Sequence, residues 1–262
     1  MSALVEVRDE GVVRWLTLNR ADVRNALSSD LVDALTAELQ GAAGSGARCV
    51  ALTGAGTVFS AGADLKALES MQSASYEENL ADSQRLANLF RAIAEHPLPI
   101  IGAVNGHAIA GGAGLALACD AAFAVRGAKF GFTEVRIGFV PAIILNFLLR
   151  TAGEKVLRDL CLTGRLIDTD EAARHGFVNE VVEASDLAAR VAAFGAEIAK
   201  TSPDAVAATK RLFLELRGLP LDEGLAHAAG ANARARATDD CREGIAAFLE
   251  KRKPTWLQGE ES

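Results

Sequence analysis

Two short apolar runs constrain this chain most. Cys49-Val50-Ala51-Leu52-Thr53 is closed by Gly54-Ala55-Gly56, and residues 100–104 lie between Pro97/Pro99 and a glycine-rich stretch. Apolar runs of that length, bounded by turn residues, read as buried strands. The pattern around them alternates with helices. Residues 3–8 put Val5 and Val7 on one face and Glu6 and Arg8 on the other, residues 12–18 continue in Val, Trp, Leu and Thr, and Asp9-Glu10-Gly11 between them reads as a hairpin turn. Ser28 and Ser29 precede Leu31, Val32, Leu35 and Leu39, apolar positions at helical spacing behind an N-cap candidate. Residues 74–95 predict a longer amphipathic helix with Leu86, Leu89, Phe90 and Ile93 on one face. The first 140 residues thus read strand, strand, helix, strand, helix, strand, which is an α/β pattern.

From Pro141 onward the pattern is almost wholly helical. Residues 154–162 form one helix, and Asp168-Thr169-Asp170-Glu171 caps another that stops at Gly176. Residues 177–182 are a lone strand, and Ser185 opens a further helix. Ser202-Pro203 sets an N-cap before proline at the first helical position, and Thr238-Asp239-Asp240 starts the last helix, which ends before Pro254. The shift near residue 200 divides the chain into a core, residues 1–200, and a helical appendage, residues 201–262.

The chain's 27 Lys+Arg stand against 34 Asp+Glu, a net charge of −7, and half its residues are apolar. That balance excludes wholesale disorder and argues against a general nucleic-acid binder. It leaves room for a local basic pocket. No apolar run reaches the roughly 18 residues that span a bilayer. Met-Ser-Ala-Leu-Val-Glu lacks the basic flank and apolar core of a secretory signal, so a cytoplasmic setting is expected. Cys49, Cys119, Cys161 and Cys241 show no CxxC spacing and the four His no HExxH pattern. The reading is free, mostly buried thiols and no metal.

Three stretches could carry chemistry. Phe59-Ser60-Ala61-Gly62-Ala63-Asp64-Leu65-Lys66 follows a strand and a turn and precedes a helix. Residues 104–114, Val-Asn-Gly-His-Ala-Ile-Ala-Gly-Gly-Ala-Gly, follow a buried strand and run into a small-residue helix. Small residues let a backbone approach a ligand, and a helix start offers free N–H groups and a positive dipole end. A tight turn with close helix packing leaves the same trace. No Gly-Lys-Ser/Thr follows and no GxGxxG occupies a strand–helix unit, which excludes a P-loop and a dinucleotide fingerprint. The third stretch, residues 130–141, holds Glu134 among hydrophobic neighbours, where burial raises a carboxylate pKa toward the range of acid–base catalysis. A glutamate paired with Arg136, or capping a helix, is the structural alternative.

In this order the three stretches resemble the crotonase family, also called the enoyl-CoA hydratase/isomerase superfamily. The resemblance covers nearly the whole chain. It runs from Leu18-Asn19-Arg20 and Arg24-Asn25-Ala26-Leu27 through the 59–65 and 103–106 segments, Cys119-Asp120, residues 134–138, Leu162-Thr163-Gly164 and Gly176-Phe177-Val178. It closes at Ala237-Thr238-Asp239-Asp240, Glu243-Gly244 and Phe248-Leu249-Glu250-Lys251-Arg252. It implies ββα units wound into a spiral core, with a helical C-terminal region that supports trimers, often stacked into hexamers. It also implies an acyl-CoA thioester as substrate, with no metal or redox cofactor. Two backbone N–H groups polarise the thioester carbonyl in this family, and they fall here on Ala63 and Gly111. Loss of one such donor costs about 10² to 10³ in rate. By the same carry-over, Arg24, Ala26, Ala61, Asp64, Leu65 and Lys66 line the CoA path. Phe248 and Lys251 match residues that reach the adenine and phosphate region, often across a subunit boundary. CoA is a polyanion, so Arg24, Lys66, Lys251, Arg252 and Lys253 are the expected basic gathering.

The best-known hydratases of that family carry two glutamates. The second matches Glu134; the first falls on Gly114, which has no side chain. Glu134 alone could add water across a double bond, or shuttle a proton between the α and γ carbons. Alternatively, the chain could only bind CoA esters. Thr-Glu-Val-Arg-Ile-Gly followed by Pro141-Ala142-Ile143-Ile144 looks like bacterial hydratases of branched acyl-CoA breakdown, including the methylglutaconyl-CoA type. The expectation is therefore a hydratase of a short or branched enoyl-CoA in fatty-acid or lipid metabolism. A Δ3,Δ2-enoyl-CoA isomerase and a non-catalytic subunit are the alternatives. His107 and Asn146 are candidate polar helpers.

Overall fold

The computed structural model describes residues 3–257. β1 (Val5–Glu10) and β2 (Val13–Leu18) form an antiparallel hairpin through a turn where Gly11 has φ +56°. α1 (Ser29–Ala42) follows, with the Ser28 hydroxyl accepting from the Leu31 amide. The chain then winds through three similar turns. The first is β3 (Cys49–Gly54), β4 (Val58–Ser60), α2 (Leu65–Ser70) and α3 (Tyr76–Glu95). The second is β5 (Ile100–Val104), β6 (His107–Ile109) and α4 (Gly111–Ala118). The third is β7 (Ala121–Val125), β8 (Lys129–Gly131), a 3-10 turn over Glu134–Ile137, and α5 (Ala142–Leu148). Next come α6 (Glu154–Thr163), β9 (Ile167–Asp168), α7 (Thr169–Arg174) and β10 (Glu180–Val182). α8 (Leu187–Ala199), α9 (Pro203–Glu215), α10 (Leu221–Arg236) and α11 (Asp239–Glu250) complete the chain.

Each turn adds one strand to each of two sheets. The larger sheet has the order β1-β2-β3-β5-β7-β10 and is parallel from β2 onward. The smaller has the order β4-β6-β8-β9, with β4, β6 and β8 parallel and β9 antiparallel. This is the expected spiral of ββα units. β5 and β7 are buried along their whole length, as strands covered on both faces must be. Their alternate side chains feed two cores. Val50, Leu52, Ile100 and Val104 pack toward α1, α3 and α4, while Cys49, Ala51, Ile101 and Ala103 pack toward α8.

The alternation expected of β1 holds only in part. Val5 is buried, but Val7 is 41% exposed. β1 is the sheet's edge strand, and past Val5 it runs beyond the core's cover. The sequence reading also passes over β4, β6, β7, β8 and β9. Four of these span three residues or fewer, too few to show a period, and β7 reads as a continuation of the small-residue helix.

Two asparagines hold the turn between β3 and β4. Asn25 is fully buried at φ +53°. Its Oδ1 accepts from the Arg20 amide at 2.9 Å, and its Nδ2 donates to the carbonyls of Ala55 (2.9 Å) and Val58 (2.7 Å). Asn105 Nδ2 donates to Gly54 and Gly56 carbonyls, and its Oδ1 accepts from the Gly54 amide. Asn25→Ala leaves three backbone groups unpaired and puts a Cβ-bearing residue with no polar side chain in the left-handed region. It is expected to lower unfolding free energy by about 2–4 kcal/mol in urea denaturation. A loss under about 1 kcal/mol, the worth of a single hydrogen bond, would show the clamp to be dispensable.

Candidate functional site

Ala63, Gly111 and Glu134 share one edge of the smaller sheet. β4 ends at Ser60, β6 at Ile109 and β8 at Gly131, and each of the three residues lies just beyond one of those parallel strand ends. Parallel neighbours stand about 4.8 Å apart, so this order alone brings three chain-distant segments together.

The loop after β4 lies directly on the start of α4. Gly62 has φ +83°, and a Cβ built on it falls 2.7 Å from the Ile109 carbonyl oxygen and 3.0 Å from the Gly111 nitrogen. A Cβ on Gly112 falls 2.3 Å from the Ser60 oxygen, and one on Gly111 stands 3.9 Å from the Ala63 nitrogen. Side chains are therefore barred at Gly62 and Gly112, and the Ala63 and Gly111 amides are neighbours. The strand-like segment at Leu27 fixes the loop from its other side. Leu27 N donates to Gly62 O (2.7 Å) and Asp64 N donates to Leu27 O (3.2 Å). Among the described residues neither the Ala63 nor the Gly111 N–H has an acceptor in the chain. Gly111 opens a helix, where the first amides have no intrahelical partner. Ala110 before it has φ +51°, a strained position for alanine. Its N–H donates to Gly131 O at 2.7 Å. Two adjacent N–H groups at a helix start can bind an anion or a polarised carbonyl oxygen.

Glu134 starts the 3-10 turn and is 8% exposed. Its Oε2 is buried without a hydrogen-bond partner among the described residues. Burial pushes its pKa above the ordinary carboxylate value, against a smaller opposing pull from its own backbone amide. Cys161 on α6 lies nearby, its thiol raised to about 11 by burial and by the Glu134 charge. Arg136 is not the partner. It lies against Gly164, where a Cβ would meet its side chain at 3.1 Å, and among the described residues Glu134 Oε2 has no partner. Glu134 is thus a desolvated acid with a free oxygen, suited to exchange a proton with a bound molecule.

The position of the absent second carboxylate is filled with hydrocarbon. A Cβ on Gly114 falls 2.9 Å from Ile144 Cγ1 and 3.0 Å from Phe90 Cζ. Both side chains are buried, and no sequence pattern links them to Gly114, because they arrive from α5 and α3.

The remaining site residues divide into two groups. Ala26 is buried, Ala61 is half-buried, and Arg24, Leu65 and Lys66 are exposed around the same loop. The Ala61 amide donates to the Arg24 carbonyl at 3.0 Å. Asp64 has a structural task. Its Oδ1 caps α2 through the Lys66 and Ala67 amides, and its Oδ2 accepts from Arg20 at 3.0 Å. Partial burial works to raise its pKa, but Arg20 and the two amides outweigh it and hold the carboxyl below the usual range. Arg20 also donates to the Ala26 carbonyl, and the Ser60 hydroxyl donates to the Asn25 carbonyl. Arg20 and Ser60 stand within the stretches singled out from the sequence but had no role assigned there, since neither residue type signals loop bracing. Phe248 and Lys251 are exposed at the end of α11. Among the described residues no hydrogen bond or ion pair ties them to the loops of residues 24–27 or 61–66. Arg252 is bound to Glu243 and Glu250 and is not available to an anion without breaking those pairs. His107 Nδ1 accepts from the Lys129 amide where β6 and β8 begin, at the end of the smaller sheet opposite to the Ala63, Gly111 and Glu134 loops, and Asn146 is exposed on α5 and accepts from Arg150.

Two outcomes follow from this packing. Gly114→Glu crowds Ile144 and Phe90 and buries a charge. It is expected to lower stability by at least about 1–3 kcal/mol, the usual cost of overpacking, measured by denaturant unfolding. Burial raises the folded-state pKa of Glu134, so its contribution is full below the ordinary value of 4.5 and is lost as pH rises through the raised value. Glu134→Gln removes that loss, so its stability relative to the parent should improve from pH 4 toward pH 8 (pH values spanning roughly the titration range of a buried carboxyl). A pH-independent difference would contradict the desolvated acid.

Comparison with known proteins gives the family. The enoyl-CoA hydratase/isomerase family model matches residues 8–259. A putative enoyl-CoA hydratase of Thermus thermophilus is 44% identical over 247 residues, covering 94% of this chain and 98% of the relative. The 2,3-dehydroadipyl-CoA hydratase of Escherichia coli is 36% identical, covering 97% and 98%. The crystal structure of an enoyl-CoA hydratase from Shewanella pealeana superposes with a TM-score of 0.92 at 30% identity, covering 97% and 96%. With matches along almost its full length and the same fold, the chain belongs to the enoyl-CoA hydratase/isomerase family.

Proposed function

We propose that the protein adds water to the 2,3 double bond of a short or branched enoyl-CoA, with Glu134 as its one acid–base group. The observation that carries this reading is the meeting of two unbonded amides, Ala63 and Gly111, with a buried, unpartnered Glu134 oxygen on one sheet edge. The thioester oxygen accepts from both amides, which stabilise the enolate as charge develops. The Glu134 carboxylate takes a proton from water while the water oxygen bonds to C3 and the double-bond electrons move into the enolate. The Glu134 carboxyl then returns that proton to C2. No metal or redox group enters these steps; CoA arrives as part of the substrate. A methylglutaconyl-type substrate is one candidate, and relatives named as hydratases support water addition.

A second reading is Δ3,Δ2-isomerisation, favoured by the hydrocarbon over Gly114. Moving a proton between α and γ carbons needs one base and no bound water. The proposal extends to assembly. α9 and α10 have no fully buried residue, and Phe213, Leu221, Leu225, Phe248 and Leu249 are exposed. Those faces support residues 201–262 as a trimerisation region, with Phe248 and Lys251 serving the CoA nucleotide of a neighbouring subunit, beside Arg24 and Lys66. Among the described residues no helix is long and apolar enough to cross a membrane. The free cysteines fit the proposed cytoplasmic setting.

Crotonyl-CoA, 3-methylglutaconyl-CoA and 3-hexenoyl-CoA, each followed by product mass and absorbance, separate the readings. Gain of one water supports hydration, and double-bond migration without mass change supports isomerisation. No turnover of any of them leaves only CoA-ester binding. Glu134→Gln is expected to cut kcat by about 10² to 10⁴ while CoA-ester affinity stays close to the parent's. In the parent, kcat/KM should fall on the acid side along a single limb lying above 4.5. Full activity in Glu134→Gln refutes the assignment.

A further inference from the structure

Behind the candidate site lies a second space that the site does not use. An apolar cleft of about 600 Å³, open to solvent at one side, is lined by Leu117, Ala118, Phe147, Phe194, Ile198 and Leu214, with Arg150 and Arg217 at its exposed rim. Lys210, the deep cation among its described lining residues, is paired with Asp120 at 2.6 Å and donates also to the Ile93 and Leu98 carbonyls. No uncompensated charge therefore opposes a hydrocarbon chain at its floor.

The cavity and the site sit on the same helix. Ala118 is one turn of α4 beyond Gly114 and on the same face, a rise of about 6 Å. The material between them is hydrocarbon. Phe90 Cζ and Ile144 press on Gly114, Phe90 packs against Phe147 with ring centroids 5.3 Å apart and planes tilted by 44°, and Phe147 lines the cavity. Ile144 and Phe147 are one turn apart on α5, as Gly114 and Ala118 are on α4. The barrier is thus only two side chains thick.

We propose that Phe90, Ile144 and Phe147 form a partition that sets the acyl-chain length the enzyme accepts, by closing the site against this cavity. The inference rests on the reading of the site at the start of α4 as the acyl-CoA site. A short acyl group ends against the partition. A longer one finds room only if the partition is opened, since the space beyond is wide and apolar enough for a chain.

The test uses the full chain, with calorimetric binding of butyryl-CoA and dodecanoyl-CoA beside turnover of crotonyl-CoA and 2-dodecenoyl-CoA. The parent should bind dodecanoyl-CoA no better than butyryl-CoA. Phe147→Ala and Ile144→Ala should shift the dodecanoyl-to-butyryl affinity ratio at least about tenfold, the scale of one or two methylenes gaining a pocket. Ala118→Leu, which refills the cavity, should reverse the shift in the Phe147→Ala background and leave crotonyl-CoA turnover of the parent unchanged. A parent that already favours dodecanoyl-CoA overturns the partition, as does a ratio unmoved in a folded Phe147→Ala. If truncation to alanine unfolds the chain, Phe147→Leu carries the same reading with the same two outcomes. Binding and turnover fail separately. A shifted ratio without turnover of any enoyl-CoA keeps the partition and removes the hydratase reading. Turnover with an unshifted ratio does the reverse.

Discussion

The close approach of the loop after β4 to the first turn of α4 is the contact on which the rest of the site depends. It is a steric matter before it is an electrostatic one. Gly62 and Gly112 leave no room for a Cβ, so the two backbones touch, and the Ala63 and Gly111 amides end up side by side. The helix start supplies what makes this arrangement useful: amides that cannot be satisfied within the helix and a positive dipole end behind them. Ala110 at φ +51° carries strain of about 1–3 kcal/mol. That strain is held by the hydrogen bond to Gly131, which joins the strained residue to the strand that leads to Glu134. The donors and the acid are therefore positioned by one piece of sheet.

Glu134 shows the opposite economy of polar groups. Most buried carboxylates are paired; this one keeps an oxygen without a partner. Desolvation raises its pKa and makes it a stronger base once ionised, and the 3-10 turn holds it there through the Gly138 and Phe139 amides on its carbonyl. The three atoms nearest a Cβ built on Gly114 all belong to the hydrocarbon of Ile144 and Phe90.

The helices after residue 200 obey a different logic. Their ends are locally written: the Ser202 and Thr238 hydroxyls accept from the Ala205 and Cys241 amides, and Pro203 begins α9. Yet α9 and α10 bury no residue completely, and α11 buries only Ala247. The apolar side chains these helices leave in water are the surface on which the proposed assembly rests.

Local signals let the sequence alone settle a good deal. Strand-length apolar runs, the Gly11 hairpin, the Ser28, Ser202 and Thr238 caps and the helical second half appear where they were expected, because each depends on neighbours in the chain. Ser185, by contrast, does not cap α8, whose N-cap is Asp186 without a side-chain hydrogen bond, and the strand expected over residues 177–182 forms only over Glu180–Val182. The family was legible too, since its loops sit in sequence order. Ala63, Gly111 and Glu134 could be named from the sequence, but that three loops share one sheet edge depends on β4, β6 and β8, which are too short to show a period. Tertiary structure alone decided that Arg136 leaves Glu134 unpaired and that Asp64 is a cap held by Arg20. It alone filled the space over Gly114 with side chains from α3 and α5. Those outcomes rest on packing between residues dozens of positions apart, and no local pattern encodes which side chain reaches a given void.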